Sequence, residues 1–503
     1  MYNWKHIALT MGSRVLAKPS LLTLPFFALV IVATWMVRTH FFFWDTVQLA
    51  SQHAQFFLDS SFSTFLLPDE MDSGHPPSFG LYLASVWFIF GKSLAISHLA
   101  MLPFLLGIVW QAWRLGENYL GTFWAAYFLM VLCANPVVAS QAILVSPDVV
   151  LLFFFLMAWR YEAAVWASSA KSWQFLFFTG AILGLSLISL RGMMVVAALF
   201  GYQVWRFWQN PEWATETRKK GIVFFLLPYF VGGTAALSFF VCHYAAKGWI
   251  GYFAGSSWAS AFERVDALGF LKNSGLFLWR LLDFGYGFVW ATIVGLGIWQ
   301  RQKLRLFFPK TRQIEQCLLV LLLVLSPTLL LYKGLLNHRY LLPIYVAALL
   351  LAIKLISDLK HRQGQIILAI VLFLGLTSGN FWVYPQPIAT GWDATLAHLP
   401  YYRLRTDMLE YIDAQHIKLE DIGTAFPNLR SSRLIDLNTA QRTHLGEEGQ
   451  FARLDFSKNK FVLYSNVMND FSAEDLKTLE QSWGTVKILR GGQVVMILYR
   501  KLF

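Results

Sequence analysis

Apolar runs close to 20 residues long recur from Leu21 to Val383 and then stop. A helix of about 20 residues crosses the hydrocarbon core of a bilayer. The runs therefore predict eleven membrane spans, at 20–37, 97–113, 121–142, 148–160, 173–190, 192–208, 221–244, 275–299, 315–332, 341–357 and 366–383. The 148–160 run is short and needs an extension at one end. The first run is not a cleavable signal peptide, because the aromatics Phe41, Phe42, Phe43 and Trp44 follow it where small residues are required.

A further apolar stretch, 76–90 (PPSFGLYLASVWFIF), has only 15 residues and opens on two prolines. Charge decides its placement. If it does not cross, one set of loops holds eighteen Lys and Arg and the other eight. If it crosses, the side of the N-terminus holds ten and the other sixteen. Basic residues concentrate in cytoplasmic loops, so 76–90 reads as an interfacial helix. The N-terminus is then cytoplasmic, and eleven crossings leave the C-terminal region outside. Residues 384–503 change character: long apolar runs give way to short ones, IGTAF (422–426), KFVLYS (460–465), TVKIL (485–489) and QVVMILY (493–499). Gly491-Gly492 reads as a two-residue hairpin turn, and Ser472 as the N-cap of a helix running to Ser482. The expectation is an all-α polytopic membrane domain over 1–383 and a small α/β extracytoplasmic domain over 384–503.

Composition narrows the class. The chain has 503 residues, 56% hydrophobic, 17% aromatic and 14% charged, with a mean hydropathy of +0.50. Soluble globular chains carry about 25% charged residues, so an ordinary cytosolic enzyme and a disordered chain are both excluded. The net charge of +12 is mostly a topology signal and calls for no nucleic-acid partner. Cys133, Cys242 and Cys317 lie in apolar runs and form neither a disulfide framework nor a zinc pattern. No phosphate-binding Gly-rich loop appears in a strand–helix context, so ATP and nucleotide sugars are not expected ligands.

The outer loops hold the candidate chemistry. Asp45 follows the first span at FFFWDT, and Asp148 opens a span at LVSPDVV. Each has a plain reading as a helix-capping carboxylate. An independent charge rule, however, puts both on one side of the membrane. His75 sits in GHPPSFG, Arg191 in ISLRGMM, and Lys333, His338 and Arg339 in YKGLLNHRYLLP. Cations at such turns commonly snorkel or meet lipid headgroups. Together they suggest a site at headgroup level. Basic groups there can hold a lipid-linked phosphate, and a carboxylate can take a proton from an attacking hydroxyl.

These residues resemble a known family. The acid after the first helix (Asp45), the His-Pro-Pro at His75, the Ser-Pro-Asp ending at Asp148, the Arg191-Gly192 turn and the RYLLP of Arg339–Pro343 are similar, in order and spacing, to the protein-mannosyltransferase-like integral membrane glycosyltransferases of the GT-C superfold. That group includes protein O-mannosyltransferases and the lipid A aminoarabinose transferase. The resemblance covers about residues 20–345. It implies a polyprenyl-phosphate sugar donor, transfer at the extracytoplasmic face of the inner membrane, and a lipid, glycan or protein acceptor. It makes Asp45 the general base and Asp148 the residue that positions acceptor or base. His75, Arg191 and Arg339 fall where the donor phosphate is held; Lys333 and His338 join them by proximity in the sequence. Many relatives have Asp-Glu after the first helix where this chain has Asp45-Thr46. That puts a metal site in doubt without excluding a divalent ion. The rival classes are a transporter or lipid flippase, for which Arg280 and Asp283 are the in-span ionisable candidates, a ligase or polymerase of lipid-linked polysaccharide, and a membrane scaffold.

Overall fold

The computed structural model describes residues 19–166, 171–209, 222–256, 259–307, 309–384, 391–437, 449–468 and 471–502. Lys5, Arg14, Lys18, Arg218, Lys219 and Lys220, counted above as cytoplasmic charge, lie outside them. The first part is helical: α1 (Leu24–Val37), a π-wound turn Val47–Gln52 running into α2 (His53–Asp59), α3 (Ser78–Phe90), α4 (Leu94–Leu99), α5 (Leu102–Leu120), α6 (Thr122–Ala134), α7 (Pro136–Ala142), α8 (Pro147–Trp166), α9 (Ser172–Ile188), α10 (Leu190–Gln209), α11 (Ile222–Lys247), α12 (Ala267–Leu282), α13 (Tyr286–Phe307), α14 (Pro309–Leu331), α15 (Leu342–Ser357) and α16 (Arg362–Gly379). Among the described residues six helices are long and apolar enough to cross a membrane, and up to eight if each of two bent pairs is one span. Length and composition thus support a polytopic bundle without fixing eleven crossings.

Two of the predicted spans are not straight. Run 121–142 breaks into α6 and α7, bent by 68°. Pro136 lacks an N–H and disfavours helical backbone at Asn135; the Asn135 side chain then caps α7 by accepting from the Val138 N–H at 3.1 Å. Run 275–299 is two helices, α12 and α13, meeting at 89°. The corner is Asp283-Phe284-Gly285, with Phe284 at φ 49° and Gly285 at φ 84°. It fits because α16 presents glycines to it. A Cβ on Gly379 would lie 1.9 Å from the Phe284 carbonyl oxygen, and one on Gly285 would lie 2.2 Å from that of Gly375.

The bundle is built around α15, of which only Ser357 at its end is not buried. A helix that is apolar all round belongs inside. Outer helices instead expose broad apolar faces, including Leu24, Val32 and Met36 on α1 and Ile367 and Leu374 on α16, as lipid-facing helices do. The short α3 buries Phe79, Leu83 and Trp87 and exposes Phe88, Ile89 and Phe90 at its end.

The last part holds α17 (Pro400–Ala414), β1 (Ile422–Thr424), α18 (Ser432–Ile435), β2 (Ala452–Arg453), β3 (Phe461–Ser465), α19 (Ala473–Ser482), β4 (Trp483–Gly491) and β5 (Val494–Lys501). The sheet order is β2-β1-β3-β5-β4, parallel across β2-β1-β3 and antiparallel across β3-β5-β4. Ser472 caps α19 in a capping box with Asp475. Gly491 pairs with Val494, so the hairpin turn is Gly492-Gln493, one residue later than expected.

The sheet is fastened to the bundle by aromatics. Phe41, Phe42, Phe43 and Trp44 are all buried. Phe43 stacks on His398 at 5.0 Å, Phe41 packs on Tyr402 at 4.8 Å, and Trp44 meets Phe426 edge-on at 4.9 Å. This aromatic block joins the two parts of the chain. Hydrogen bonds to backbone carbonyls reinforce it. The Phe42 N–H donates to the Ile435 carbonyl at 2.9 Å, and the Ser51 hydroxyl to the Leu434 carbonyl at 2.7 Å.

A side chain at Gly379 cannot share space with the Phe284 carbonyl. Gly379→Leu should cost about 1–3 kcal/mol through overpacking, seen as a lower unfolding temperature of the detergent-solubilised protein. A Leu at exposed Gly295, where a Cβ meets nothing within 4 Å, should be neutral.

Candidate active site

Arg339, just before α15, is 4% exposed and surrounded by acid. Its Nη2 pairs with Asp45 Oδ2, its Nη1 lies 3.3 Å from Asp393 Oδ2, and its Nε lies 3.7 Å from Asp148 Oδ2. Asp148 also accepts from Arg191 Nη1 at 2.6 Å, and the Arg191 guanidinium lies 3.9 Å above the Tyr340 ring. Three carboxyl groups face two guanidinium groups. Buried ions are tolerated only when paired, and breaking such a pair costs about 3–5 kcal/mol.

Each member is aimed by its own local structure. Asp45 does not cap the following turn. Its neighbour Thr46 braces that turn, its hydroxyl donating to the Phe43 carbonyl at 2.6 Å and accepting from the Phe43 N–H at 2.9 Å. Trp44 at φ 58° makes the corner that frees the Asp45 carboxylate to face Arg339. Such backbone persists only where packing over-determines it, which the buried aromatics supply. Asp148 sits in the first turn of α8, where its charge suits the helix dipole. Its N–H donates to the Ser146 hydroxyl at 3.2 Å, Ser146 donates to Gln141 Oε1 at 2.6 Å, and Gln141 Nε2 donates to the Asp393 carbonyl at 2.8 Å. The Ser140 hydroxyl donates to the same carbonyl at 2.7 Å.

Asp45, His75 and Arg191 line one cavity of about 360 Å³, in the size range of ligand pockets. Its other wall is apolar and aromatic, with Met194, Tyr252, Phe262, Tyr332, Leu335 and Tyr340 among its residues. A small annex of about 20 Å³ runs between His75, Asp148 and Arg191. His75 is held by its loop. The Leu190 N–H donates to His75 Nδ1 at 3.4 Å, which leaves the proton on Nε2. Burial, then the nearby Arg191 charge, pushes the His75 pKa down to about 3, so the ring is neutral at physiological pH.

The His75 loop is pinned to the end of α11. Asp72 Oδ2 pairs with His243 Nε2 at 3.0 Å and Lys247 Nζ at 2.7 Å, while Asp69 Oδ1 takes Lys247 Nζ at 2.9 Å and Trp249 Nε1 at 3.2 Å. Gly74, at φ 70°, lies against the Gly251 carbonyl so closely that a Cβ would be 1.8 Å from that oxygen.

The structure brings Asp45, Asp148, His75, Arg191 and Arg339 together. It does not bring in Lys333 and His338. Lys333 is exposed and pairs with Glu263. His338 turns to the α12–α13 corner, its Nε2 2.9 Å from Asp283 Oδ2; Arg280 Nη1 at 3.3 Å, the Phe284 N–H at 2.8 Å and the Tyr384 hydroxyl complete that carboxylate's shell. Proximity in sequence does not carry over to space: Lys333 precedes the 3-10 turn over His338–Leu341, and within that turn His338 and Arg339 take different partners. Asp393 was missed. It is the acid of the GWD at 391–393, a stretch that carries none of the motifs noted above.

No protein-family model matches the chain, and no curated protein sequence matches it. Solved structures do. ArnT from Cupriavidus metallidurans bound to undecaprenyl phosphate matches with a TM-score of 0.52 and 13% identity, over 94% of this chain and 96% of that one. The apo ArnT structure matches with a TM-score of 0.50 and 13% identity, over 97% of this chain and 98% of the other. The chain has the ArnT-like GT-C fold. In this ArnT-like architecture the match runs through both the helical bundle and the C-terminal sheet.

A neutral, partly buried histidine makes stability pH-dependent. The unfolded chain binds a proton near the ordinary 6.5 and the folded one only near 3, so stability is full above about 6.5 and falls as pH drops toward 3. His40 and His53, both held down to about 4 by burial, add to the same trend. His75→Gln should flatten, but not abolish, the fall in unfolding temperature between pH 6.5 and 4.

Proposed function

We propose that the protein is a glycosyltransferase that moves a sugar from a polyprenyl-phosphate donor to an acceptor hydroxyl or amine at the outer face of the inner membrane. The observation that carries this reading is a single cavity lined by a carboxylate, Asp45, and by phosphate-binding chemistry, Arg191 and the His75 Nε2–H. The fold match to a protein solved with undecaprenyl phosphate supports the donor class. So does a groove of about 440 Å³ lined almost wholly by apolar residues of α9, α10 and α11, including Met193, Phe200, Leu226 and Phe230. Met193 on that groove and Met194 on the cavity are adjacent, directly after Arg191-Gly192.

In the proposed reaction Asp45 takes the acceptor's proton as the acceptor attacks the anomeric carbon. The bond from that carbon to the phosphate oxygen breaks, and polyprenyl phosphate leaves. A single displacement inverts the anomeric centre. Arg191 and His75 donate to the phosphate as charge develops on its leaving oxygen. Asp148 holds Arg191 and, with Arg339, aims Asp45. A divalent ion does not fit between these carboxylates. Arg339 stands where the ion would, and Thr46 spends its hydroxyl on the Phe43 backbone. Transport draws less support, because Asp283 and Arg280, the ionisable groups it would use, close on one another and on His338.

The test is a deletion strain carrying the wild-type gene or Asp45→Asn at equal membrane levels, with glycolipids and glycoproteins compared by mass spectrometry. A single sugar mass that returns with wild type and not with Asp45→Asn is expected; identical profiles would sink the reading. Arg191→Ala should weaken use of the donor by roughly 10²-fold or more in kcat/KM, the scale of losing one charged stabilising donor.

A further inference from the structure

The membrane bundle does not close its own charge cluster. Asp393 arrives from the chain beyond α16, is 0% exposed, and places its Oδ2 3.3 Å from Arg339 Nη1. Its backbone is bolted to the half-helix α7 by Ser140 and Gln141, and the adjacent Trp392 indole donates to the Asn466 carbonyl at 3.1 Å, tying the same segment to the sheet. Its other oxygen, Oδ1, is buried without a hydrogen-bond partner, as are Arg339 Nε and Asp148 Oδ2. The carboxylate faces the Arg339 guanidinium, and the Asn337 Nδ2 amide reaches the same Oδ2 at 3.5 Å.

We infer that Asp393 is a positioning residue, a third carboxylate that divides Arg339 between the segment after the bundle and Asp45, so that Asp45 is aimed without being neutralised. With two carboxylates alone, Arg339 would turn its free edge onto Asp45 and Asp148. A planar guanidinium binds a carboxylate through two N–H groups at once, and a carboxylate held that way is a poor proton acceptor. Asp393 occupies Nη1 and prevents this. The consequence for catalysis rests on the transferase reading above; the sharing of Arg339 does not.

Two measurements on the full-length detergent-solubilised protein separate these. The first is thermal unfolding of wild type, Asp45→Asn, Asp393→Asn and the double variant. Each single change leaves Arg339 two carboxylates, whereas the double leaves Asp148 alone against both arginines. Residues sharing one partner couple, so the double should lose more than the sum of the singles; simple additivity overturns the inference. The second is transfer kinetics with an undecaprenyl-phosphate-linked sugar. Asp393→Asn should lower kcat by about 10²-fold, the scale set by misplaced catalytic groups, with the donor KM unchanged. An unchanged kcat, or a rise in KM alone, overturns the inference. If wild type transfers nothing from such donors, the transferase reading falls, and the thermal cycle alone decides whether Asp393 shares Arg339.

Discussion

The structure is organised around one buried cation. Arg339 cannot be left alone at this depth, since an unpaired charge there costs several kcal/mol, and it draws in carboxylates from three distant segments: Asp45 after α1, Asp148 at the start of α8 and Asp393 beyond α16. The rest of the architecture delivers those four residues to one point. The short turn that leads into α15 carries Arg339, the bent α6–α7 pair turns Ser140 and Gln141 toward Asp393, and the aromatic block at Phe41–Trp44 sets the corner from which Asp45 projects.

The same arrangement assigns different work to residues of like charge. Arg339 is committed to carboxylates, whereas Arg191, paired once and partly exposed, faces the cavity. His75 and His338 divide in the same way. The first borders the cavity as a neutral ring fixed by a backbone N–H, and the second is locked to Asp283 at a helix corner. In this reading the phosphate side of the site is Arg191 with His75, and Arg339 belongs to the acid side.

Much of this was legible in the chain. Run length located the helices, because a bilayer imposes one length on whatever crosses it, and loop charge put Asp45, His75, Asp148 and Arg191 on one side before any contact was known. The residues that escaped did so for identifiable reasons. The right-angle corner at Asp283-Phe284-Gly285 lies inside an unbroken apolar run, and hydropathy does not register a left-handed backbone at Phe284. Asp393 lies beyond the last long apolar run, where an acid attracts no notice, and its partner is fixed by tertiary packing alone. Lys333 and His338 are grouped with Arg339 by their nearness in sequence, but residues next to one another do not share a face in a helix or a strand, and each of these two takes an acid of its own, Glu263 and Asp283.

The central position of α15 has a consequence for how the protein is made. A chain enters the bilayer from its N-terminus, and here the axis of the bundle is the next-to-last of the long helices to emerge. The earlier helices must gather around a centre that is still empty, with Asp45 facing no counter-charge and Asp148 only Arg191. Arg339 arrives with the axis, and Asp393 follows only after α16. Assembly therefore finishes from the C-terminal end: the acid cluster becomes complete in the same late step that seats the sheet on the bundle, and a nascent chain does not carry a finished site while it is still being inserted.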